Sequence, residues 1–512
     1  MTDEIPQHPP TYWGLVEQRA NASPDNLLFT DEHGRSLSFG AYRDEAERVA
    51  AGLHDLGVRA DTVVSWQLPT AIDTMVLLAA ITRLGAVQNP IIPIMREREV
   101  RYITNEAKTE YFVVRPEWRG FAYGELAEQI AGEIGCTVLA SDTLPTGDPS
   151  VLPPPPGPER VRRWLYHTSG STSDPKGVWH ADASVIASMY AFVTRIRPTA
   201  DDVYPICFPV SHIGGAAMLG AALHVGYLLP LVEAFDAERT PLFMAEQGAT
   251  LLGTALPMFQ AYLAAQRKHG PERLFPKLRA CVGGGAPKTA GIDDVIRAEL
   301  GGLGVVSSWG LTEFPTATSA SVDDTRAQIE TTEGRPSPGV ELRVVGADGA
   351  DCGPGEEGEL RLRGPHLFLG YANDALNADA LDDQGYFKTG DLGVVADTGH
   401  VTITGRLKDI IIRNAENISA SEVEEILQRH PAIADVAVIG LPDPRTGERA
   451  CAVVTLVDGV TSLTLVEIGE HCSELGLARQ KVPEQLELVD EVPRNAMGKI
   501  QKPELKKRFA PT

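Results

Sequence analysis

The sequence has few cysteines and no surplus of positive charge. Six cysteines are scattered over 512 residues, with no CxxC pair. This spacing excludes a recognisable zinc site and argues against a disulfide framework, so we expect free thiols and a cytoplasmic location. Lysine and arginine number 46 against 69 aspartates and glutamates, a net charge of −23. Nucleic-acid backbones and anionic membranes need clustered positive charge, so neither is an expected partner.

Long apolar runs are also scarce. The N-terminus is polar and acidic, which does not fit a signal peptide. Residues 207–232 are largely apolar over a length that could cross a bilayer, but they include two prolines, two histidines and several glycines. A membrane helix would tolerate these residues poorly. We therefore interpret the segment as a buried strand–turn–helix.

A chain of this length is too long for one ordinary core and predicts two or more domains. Helical patterns at 41–56 and 71–84, each followed by glycine, flank a strand pattern at 62–68. This alternation predicts parallel sheets covered by helices. Residues 151–159 contain four consecutive prolines and predict a stiff connector.

The pattern changes in the last third of the chain. Short strands at 340–345 and 359–362, separated by Gly/Asp turns, predict a small antiparallel unit. Beyond residue 408 the pattern predicts a compact α+β domain of about 100 residues. Its elements are a strand at 410–412, a helix at 421–428, and strands near 436–439 and 451–456.

The most informative segment is YHTSGSTSDPKG, residues 166–177. Small hydroxyl side chains and backbone N–H groups can wrap a triphosphate, and Lys176 adds a positive charge. The pattern is not the P-loop GxxxxGK[ST], because Lys176 precedes the last glycine and no Ser or Thr follows. Taken alone, such a stretch is also typical of a polar surface turn.

The string TSGSTSDPKG resembles the phosphate loop of the adenylate-forming superfamily, which includes acyl-CoA synthetases, non-ribosomal adenylation domains and luciferases. Further segments resemble that family's motifs in order: PVSHIGG at 209–215, GGGAP at 283–287, SWGLTE at 308–313, TGD at 389–391, GRLKD at 405–409 and PRNAMGK at 493–499. Because their order and spacing are more specific than any single motif, the chain is identified as a member of this superfamily, most like an acyl-CoA synthetase.

The resemblance implies an α/β fold in two parts. Residues 1–406 would form a large domain of two helix-covered α/β sheets plus a small β-barrel-like unit, which binds ATP and the acid. Residues 407–512 would form a small mobile α+β domain that turns about Lys408. The implied reaction uses ATP, Mg²⁺ and coenzyme A: a carboxylate attacks the α-phosphorus, pyrophosphate leaves, and a thiol then displaces AMP.

The resemblance also implies roles for individual residues in nucleotide binding. Contacts to ATP or AMP would come from Thr168, Ser169, Gly170, Ser171, Thr172, Lys176, Gly284, Gly285, Ala286, Pro287, Ser308, Trp309, Gly310 and Thr312. Asp391 would accept the ribose hydroxyls, with Arg406 as a second contact. Glu313 would ligate Mg²⁺, a hard cation that prefers oxygen ligands.

A second set of implied residues concerns the acid and the thiol. His212 would orient the carboxylate, and the acyl pocket would include His212, Ile213, Gly214 and Gly283. Lys499 would bridge the carboxylate and the α-phosphate. Lys408 would act as the hinge, with Asn414 and Ala415 beside the thiol channel, where many relatives carry Gly-Gly. Without the family, His212 is interpretable as a core histidine. Lys499 is then interpretable as part of a solvated basic cluster near the C-terminus, which comprises Arg494, Lys499, Lys502, Lys506, Lys507 and Arg508.

Several alternatives stay open from the sequence. The activated acyl group could pass to coenzyme A, to a carrier-protein thiol or to an amine, and a nucleotide-binding protein without activity is a third class of function. The residues near the expected pocket are small and apolar, without an obvious aspartate for an ammonium group. They predict a mainly apolar acid: fatty, alicyclic or aromatic. Composition leaves a homodimer open.

Overall fold

The structure is a computed structural model that describes residues 10–168, 175–254, 256–284, 288, 291–413, 416–443, 445–475, 477, 479–495 and 498–510. Helices and strands are numbered below in chain order. Four segments of the chain each build one sheet or most of one.

The first segment forms a six-stranded sheet. Its elements are α1 (Tyr12–Ala22), β1 (Leu27–Asp31), β2 (Ser36–Ser38), α2 (Phe39–Asp55), β3 (Val63–Gln67), α3 (Ile72–Leu84), β4 (Val87–Pro90), α4 (Glu97–Glu106), β5 (Tyr111–Val114), α5 (Tyr123–Ile134), β6 (Thr137–Ala140), β7 (Trp164–Thr168), β8 (Lys176–His180) and α6 (Asp182–Ile196). The strand order is β6-β5-β3-β4-β7-β8, and only β8 runs antiparallel to its neighbour. Helices between successive parallel strands cover this sheet.

Local sequence signals explain where these helices begin and end. The Ser38 side chain accepts a hydrogen bond from the Ala41 backbone N–H at the start of α2. Gly85 ends α3 in the left-handed region with φ 66°, a conformation that glycine adopts without strain. The helices predicted at 41–56 and 71–84 and the strand predicted at 62–68 are therefore confirmed.

The second segment forms a five-stranded sheet. Its elements are α7 (Ile213–Val225), β9 (Leu229–Leu231), α8 (Thr240–Glu246), β10 (Leu251–Leu252), α9 (Leu256–His269), β11 (Ala280–Gly284), α10 (Ile292–Glu299), β12 (Val305–Leu311), β13 (Phe314–Ser319), α11 (Arg326–Thr331) and β14 (Arg335–Pro336). The order is β10-β11-β12-β13-β14, with the first three strands parallel and the last two antiparallel. Strand β9 instead pairs with β1 in a three-stranded sheet.

The apolar segment 207–232 lies within the core, as helix α7 followed by strand β9. The expected order, strand before helix, was wrong, because Gly226 (φ 100°) ends the helix and turns the chain into β9. Among the described residues, no helix combines the length and apolarity needed to cross a bilayer.

The third segment is a four-stranded antiparallel sheet. Its strands are β15 (Glu341–Val345), β16 (Gly358–Arg363), β17 (Phe387–Val395) and β18 (Val401–Arg406), in that spatial order. The two strands predicted at 340–345 and 359–362 are confirmed. Buried side chains of this sheet share clusters with Trp309 and Phe314, so the sheet lies against the β12–β13 hairpin.

The fourth segment has its own core. Its elements are β19 (Ile410–Arg413), β20 (Glu416–Ser419), α12 (Ala420–Leu427), β21 (Ile433–Asp443), β22 (Gly447–Leu456), α13 (Leu465–Glu474), β23 (Gln485–Leu488) and α14 (Lys502–Phe509). The strands predicted at 410–412, 436–439 and 451–456 and the helix predicted at 421–428 are confirmed. In the described parts of the chain, its two buried clusters contain only residues 411–509. This separate core supports the proposed boundary between residues 406 and 407.

Candidate active site

Part of the expected site cannot be placed. Of the residues predicted from the sequence, Ser169, Gly170, Ser171, Thr172, Gly285, Ala286, Pro287, Asn414 and Ala415 lie outside the described residues. Their expected roles stay predictions.

The two ends of the expected phosphate loop lie side by side. Thr168 ends β7 and pairs with Lys176, the first residue of β8. Lys176 points its ammonium toward the ring of Tyr371, with 5.6 Å from Nζ to the ring centroid. The loop therefore joins two antiparallel strands, unlike a P-loop, which joins a strand to a helix.

A half-buried carboxylate contacts the same strand pair. Glu106, the last residue of α4, lies with Oε2 3.0 Å from Nε2 of His167, and its Oε1 accepts a hydrogen bond from the Tyr102 hydroxyl at 3.1 Å. Burial alone would raise the pKa of Glu106, but the hydrogen bond from His167 lowers it. An ionised Glu106 thus contacts His167, the residue before Thr168 at the end of β7.

The glycine-rich segment approaches β12 closely. Gly284 pairs with Ser308 across the parallel strands β11 and β12. A Cβ atom at Gly284 would lie 2.8 Å from the Ser308 carbonyl oxygen, so only glycine fits there. The Ser308 hydroxyl donates to the Gly283 carbonyl oxygen at 3.3 Å. The two segments expected on the adenine side are therefore brought together.

The expected ribose-binding carboxylate is buried and held from two sides. Asp391 in β17 is only 2% exposed and lies opposite Arg406 at the end of β18. The Arg406 Nε lies 2.7 Å from Asp391 Oδ1, and the Trp309 indole N–H donates to Oδ2 at 2.9 Å. Burial raises the pKa of Asp391, while Arg406 and Trp309 act in the opposite direction. This carboxylate is oriented before any nucleotide arrives.

The expected metal ligand is also oriented by a neighbour. Thr312 and Glu313 form the turn between β12 and β13, next to Gly310 and Leu311 of β12. The Tyr371 hydroxyl donates to Glu313 Oε1 at 2.8 Å, in a buried hydrogen bond. Within the described residues, no group of three or more His, Cys, Asp or Glu side chains could enclose a metal. A cation here would need oxygens from the substrate in addition to Glu313.

His212 stands at the N-terminus of α7, and Ile213 and Gly214 form the first turn. Its Nδ1 accepts a hydrogen bond from the Gly214 backbone N–H at 3.2 Å, which leaves the proton of a neutral ring on Nε2. Burial lowers the pKa of His212 to about 4, and the positive charge of Lys499 contributes. His212 is therefore neutral at physiological pH, a donor and not a cation. Whether Ile213, Gly214 and Gly283 together line an acyl pocket stays a prediction.

Lys499 reaches the same place from the C-terminal segment. Burial in the cleft lowers the pKa of its ammonium, as does the charge of Arg406, whereas Asp391 and Glu313 raise it. The Lys499 residue as a whole is nevertheless exposed. Lys499 thus meets Asp391, Arg406, Glu313 and His212 in one electrostatic neighbourhood.

The expected hinge residue is close by. Lys408 lies in a single helical turn, Leu407–Asp409, between β18 and β19. Burial lowers the pKa of Lys408, and so does the positive charge of Arg406. The chain therefore passes from the third to the fourth segment close to the charges of Arg406 and Asp391.

Sequence reasoning missed three residues that hold this site in place. Tyr371 supports Glu313, Glu106 supports the strand pair, and Asp435 pairs with Arg494 beside Lys499. Tyr371, Glu106 and Asp435 lie outside the recognised motifs, and no local pattern singles them out. Only Arg494 was visible, as a member of the basic cluster near the C-terminus.

Comparison with known proteins agrees with this geometry. The model of the family described as AMP-binding enzyme matches residues 16–372, and that of the AMP-binding enzyme C-terminal domain matches residues 422–499. The chain belongs to the AMP-binding enzyme family. This AMP-binding enzyme is thus a member of the adenylate-forming superfamily, as expected, and the expected fold class of a large α/β part and a small C-terminal part is confirmed.

Similar proteins cover nearly the whole chain. A medium-chain fatty-acid–CoA ligase of Escherichia coli is 30% identical, over 96% of this chain and 88% of its own length. A salicyl-AMP ligase / salicyl-S-ArCP synthetase of Mycobacterium tuberculosis is 32% identical, over 96% and 90%. The crystal structure of ATP-bound MatB from Rhodopseudomonas palustris superposes with a TM-score of 0.88 at 26% identity, covering 97% of this chain and 99% of that one. The AMP-binding enzyme is therefore an acid-activating ligase.

Proposed function

We propose that this enzyme is an ATP-dependent carboxylic acid–CoA ligase that forms an acyl-adenylate and then an acyl-CoA thioester. The observation that carries the proposal is that the carboxylates of Asp391 and Glu313 act electrostatically on the Lys499 ammonium and raise its pKa, which burial lowers. A lysine brought from a separate core to a buried, preoriented nucleotide site suits a step in which negative charge builds at a phosphate.

In the first half-reaction the acid attacks the α-phosphorus in line and pyrophosphate departs. Asp391 would hold the ribose, and Trp309 would lie against the adenine. The Lys499 ammonium would contact the attacking carboxylate and the α-phosphate together, so its charge would count most in the transition state. Lys176 would hold the departing phosphates from the other side.

His212 would act by orientation and not by proton transfer. An ionised carboxylate needs no general base, and a ring with a pKa of about 4 carries no charge to neutralise it. With Nδ1 occupied by the Gly214 N–H, the Nε2–H is the group free to donate to a carboxylate oxygen. This bond would align the acid for attack.

The donor set around Glu313 fits Mg²⁺. A single carboxylate, positioned by the Tyr371 hydroxyl, leaves a small hard cation to complete its coordination with phosphate oxygens and water. When bound, Mg²⁺ would neutralise charge on the phosphates. The role of Glu313 itself is to hold a fixed anionic oxygen at the β12–β13 turn.

In the second half-reaction a thiol attacks the carbonyl carbon of the acyl-adenylate, and AMP leaves. We place the domain boundary between residues 406 and 407, so that rotation about Lys408 would withdraw Lys499 and present the β19–β20 hairpin. Similarity to both a CoA ligase and a salicyl-S-ArCP synthetase keeps an alternative: a free-standing enzyme that hands the acyl group to a carrier-protein thiol, or to an amine.

The acid is proposed to be mainly apolar. Ile213 is 3% exposed, and together with the apolar side chains of Ile92 and Met95 it lines a cavity that His212 also borders. A Cβ atom at Gly214 would lie 3.2 Å from His212 Nδ1, so the missing side chain leaves room for a hydrocarbon or aromatic ring next to His212. A fatty, alicyclic or aromatic carboxylate therefore suits this side of the cleft best. Cytoplasmic location and a homodimer stay predictions.

The test is a screen of pyrophosphate release over a broad panel of acids, each with and without coenzyme A. We expect acid-dependent release with at least one apolar acid, and AMP with acyl-CoA as products when coenzyme A is present. Acyl-adenylate that accumulates and is not consumed by coenzyme A would favour the carrier-protein alternative. Absence of acid-dependent ATP–pyrophosphate exchange over the whole panel would overturn the proposal.

A further inference from the structure

Lys499 is carried by a short hairpin with an internal hydrogen-bond frame. Arg494 and Ile500 form an antiparallel bridge across it. The Asn495 backbone N–H donates to the Lys499 carbonyl oxygen at 2.8 Å, and the Asn495 side-chain Oδ1 accepts from the Lys499 N–H at 3.0 Å. Gly498, at φ 76°, takes the left-handed conformation that lets the chain reverse direction. The backbone of Lys499 is thus fixed relative to Asn495.

These hydrogen bonds lie within the hairpin, so they do not fix the position of Lys499 relative to the rest of the domain. Arg494 makes that connection. Its Nη2 donates to both carboxylate oxygens of Asp435, at 2.7 and 2.9 Å, and its Nη1 donates to the Gly498 carbonyl oxygen at 2.7 Å. Asp435 belongs to β21, the strand that runs through both clusters of the C-terminal core. One guanidinium therefore joins the hairpin turn to the core of the domain.

The far side of the hairpin is anchored as well. Lys502, the first residue of α14, lies with Nζ 2.8 Å from Glu424 of α12. Both side chains of this pair are largely buried, at 12% and 19% exposure. By contrast, Lys507 and Arg508 of the same basic cluster are exposed. The structure thus separates the cluster into anchors and a solvated face, with Lys499 between the two anchors.

We propose that Arg494, through its ion pair with Asp435 and its bond to the Gly498 carbonyl, is the positioning residue that aims Lys499 into the cleft. Arg494 does not touch the reacting atoms. A planar guanidinium with parallel N–H groups can hold a carboxylate and a carbonyl at once, which a lysine ammonium cannot do with the same geometry. The inference rests on the proposed function, since it assumes that Lys499 serves acyl-AMP formation.

The consequence is specific to one half-reaction. A lysine displaced by about 1 Å loses its contact with developing charge and can cost on the order of 10²-fold in rate. The thiol step, in which Lys499 would be withdrawn, should not depend on where the hairpin points. A merely structural defect would slow both half-reactions alike.

The experiment compares the unaltered enzyme with Arg494→Met, Asp435→Asn and Arg494→Lys. The acid used is the one that gives the fastest pyrophosphate release in the panel above, and the second half-reaction starts from the synthetic acyl-adenylate of that acid plus coenzyme A. For Arg494→Met we expect acyl-AMP formation to fall by about 10- to 100-fold, with thioester formation unchanged. Asp435→Asn should give a similar fall, and Arg494→Lys should restore little.

Hydrogen–deuterium exchange of residues 494–500 supplies a readout that needs no acid. With ATP and Mg²⁺ present, exchange in this peptide should be faster in Arg494→Met than in the unaltered enzyme, while peptides of β22 stay the same. The matched control is Arg429→Met, which removes an exposed ion pair with Glu425 in the same domain. It should change neither half-reaction nor exchange of the hairpin.

Two results would overturn the inference and leave the proposed function standing. One is unchanged acyl-AMP formation and hairpin exchange in Arg494→Met while Lys499→Ala abolishes the first step. The other is an equal fall in both half-reactions for Arg494→Met, which would make the ion pair a matter of stability alone. Failure of Lys499→Ala to slow acyl-AMP formation would instead overturn the proposed function.

Discussion

The two sides of the cleft are built differently. On the N-terminal side, Asp391 is almost fully buried and held by Arg406 and Trp309, and Glu313 is held by Tyr371. On the C-terminal side, one largely exposed lysine stands on a hairpin that packs on a core of its own. The first arrangement stores a fixed geometry for a nucleotide. The second suits a group that must arrive and leave.

This difference fits the proposal that the site combines a fixed binding surface with a lysine on a mobile domain. Buried hydrogen-bonded carboxylates cannot move without leaving polar atoms unpaired, so they suit a binding surface that stays the same through both half-reactions. A lysine that depends on local anchors can travel with its domain and keep its own geometry. The predictions below test whether the two sides fail in different ways.

The largest effect is expected for Lys499→Ala. Loss of the ammonium removes charge stabilisation at the α-phosphate, so acyl-AMP formation should fall by about 10²–10³-fold. Thioester formation from preformed acyl-adenylate should persist, and Lys507→Ala, which removes an exposed charge of the same cluster, should change neither. Single-turnover measurement of each step decides the matter. An unaltered first step in Lys499→Ala would remove the functional contrast between the two sides.

A smaller effect is expected for Tyr371→Phe on the N-terminal side. Without its hydroxyl, Glu313 loses the hydrogen bond that orients it, and partners of this kind cost about 10–100-fold when they support a metal ligand. The half-saturating Mg²⁺ concentration should rise, as measured from initial rates at fixed ATP. Tyr386→Phe is a control, because Tyr386 also donates to a carboxylate, Glu341, on the antiparallel sheet. Equal Mg²⁺ dependence in all three proteins would refute a metal role for Glu313.

Trp309→Phe should have a moderate effect confined to the nucleotide. The change keeps an aromatic face but removes the N–H bond to Asp391, and a hydrogen bond to a charged group is worth about 1.5–3 kcal/mol, roughly tenfold or more in affinity. The KM for ATP should rise, with a reduced preference for ATP over 2′-deoxy-ATP. Trp118→Phe removes a comparable indole bond to Glu233 and should leave both values as they are. If Trp309→Phe and Trp118→Phe had the same KM for ATP and the same preference for ATP over 2′-deoxy-ATP, Trp309 would have no role in ribose recognition.

The smallest effect is expected in the pH profile. The folded pKa of His212 is about 4, below the ordinary value of 6.5, so the ring is neutral above pH 5 and gains a proton only as pH falls further. Stability that depends on neutral His212 is therefore present above pH 6.5 and is lost as pH falls through about 4. Between pH 6 and 8, His212→Asn should lower the rate without altering the shape of the profile. An acid limb near pH 6.5 that disappears in His212→Asn would show a titrating catalytic histidine instead.

Sequence patterns predicted the fold well where they were local. The helix at 71–84 and the strand at 62–68 follow from apolar spacing and a glycine stop, and both formed as expected. The segment 207–232 was predicted in the wrong order, because periodicity cannot tell a buried helix from a buried strand when nearly every residue is apolar. Only packing against α1 and α6 settles which part is helical.

The motifs led to Asp391, Glu313, His212 and Lys499, but not to the residues that hold them. Tyr371 is 58 residues from Glu313, and Arg494 is 59 residues from Asp435. Such partners carry no signal in their own neighbourhood, because a single tyrosine or aspartate in a loop or strand looks like any other. The sequence motifs identified the residues proposed to bind or catalyse, but not the residues that position them.

By itself, the sequence determined the kind of chemistry, since hydroxyls, glycines, carboxylates and lysines in a specific order suit one way of handling a triphosphate. It also determined the alternation of helices and strands, which depends on neighbours a few residues apart. The tertiary structure decided which charges act on one another and how strongly, because burial and distance set the pKa of each group. It alone brought the charge of Lys499 within electrostatic range of the carboxylates of Glu313 and Asp391, since distant segments of a chain approach one another only once the chain has folded.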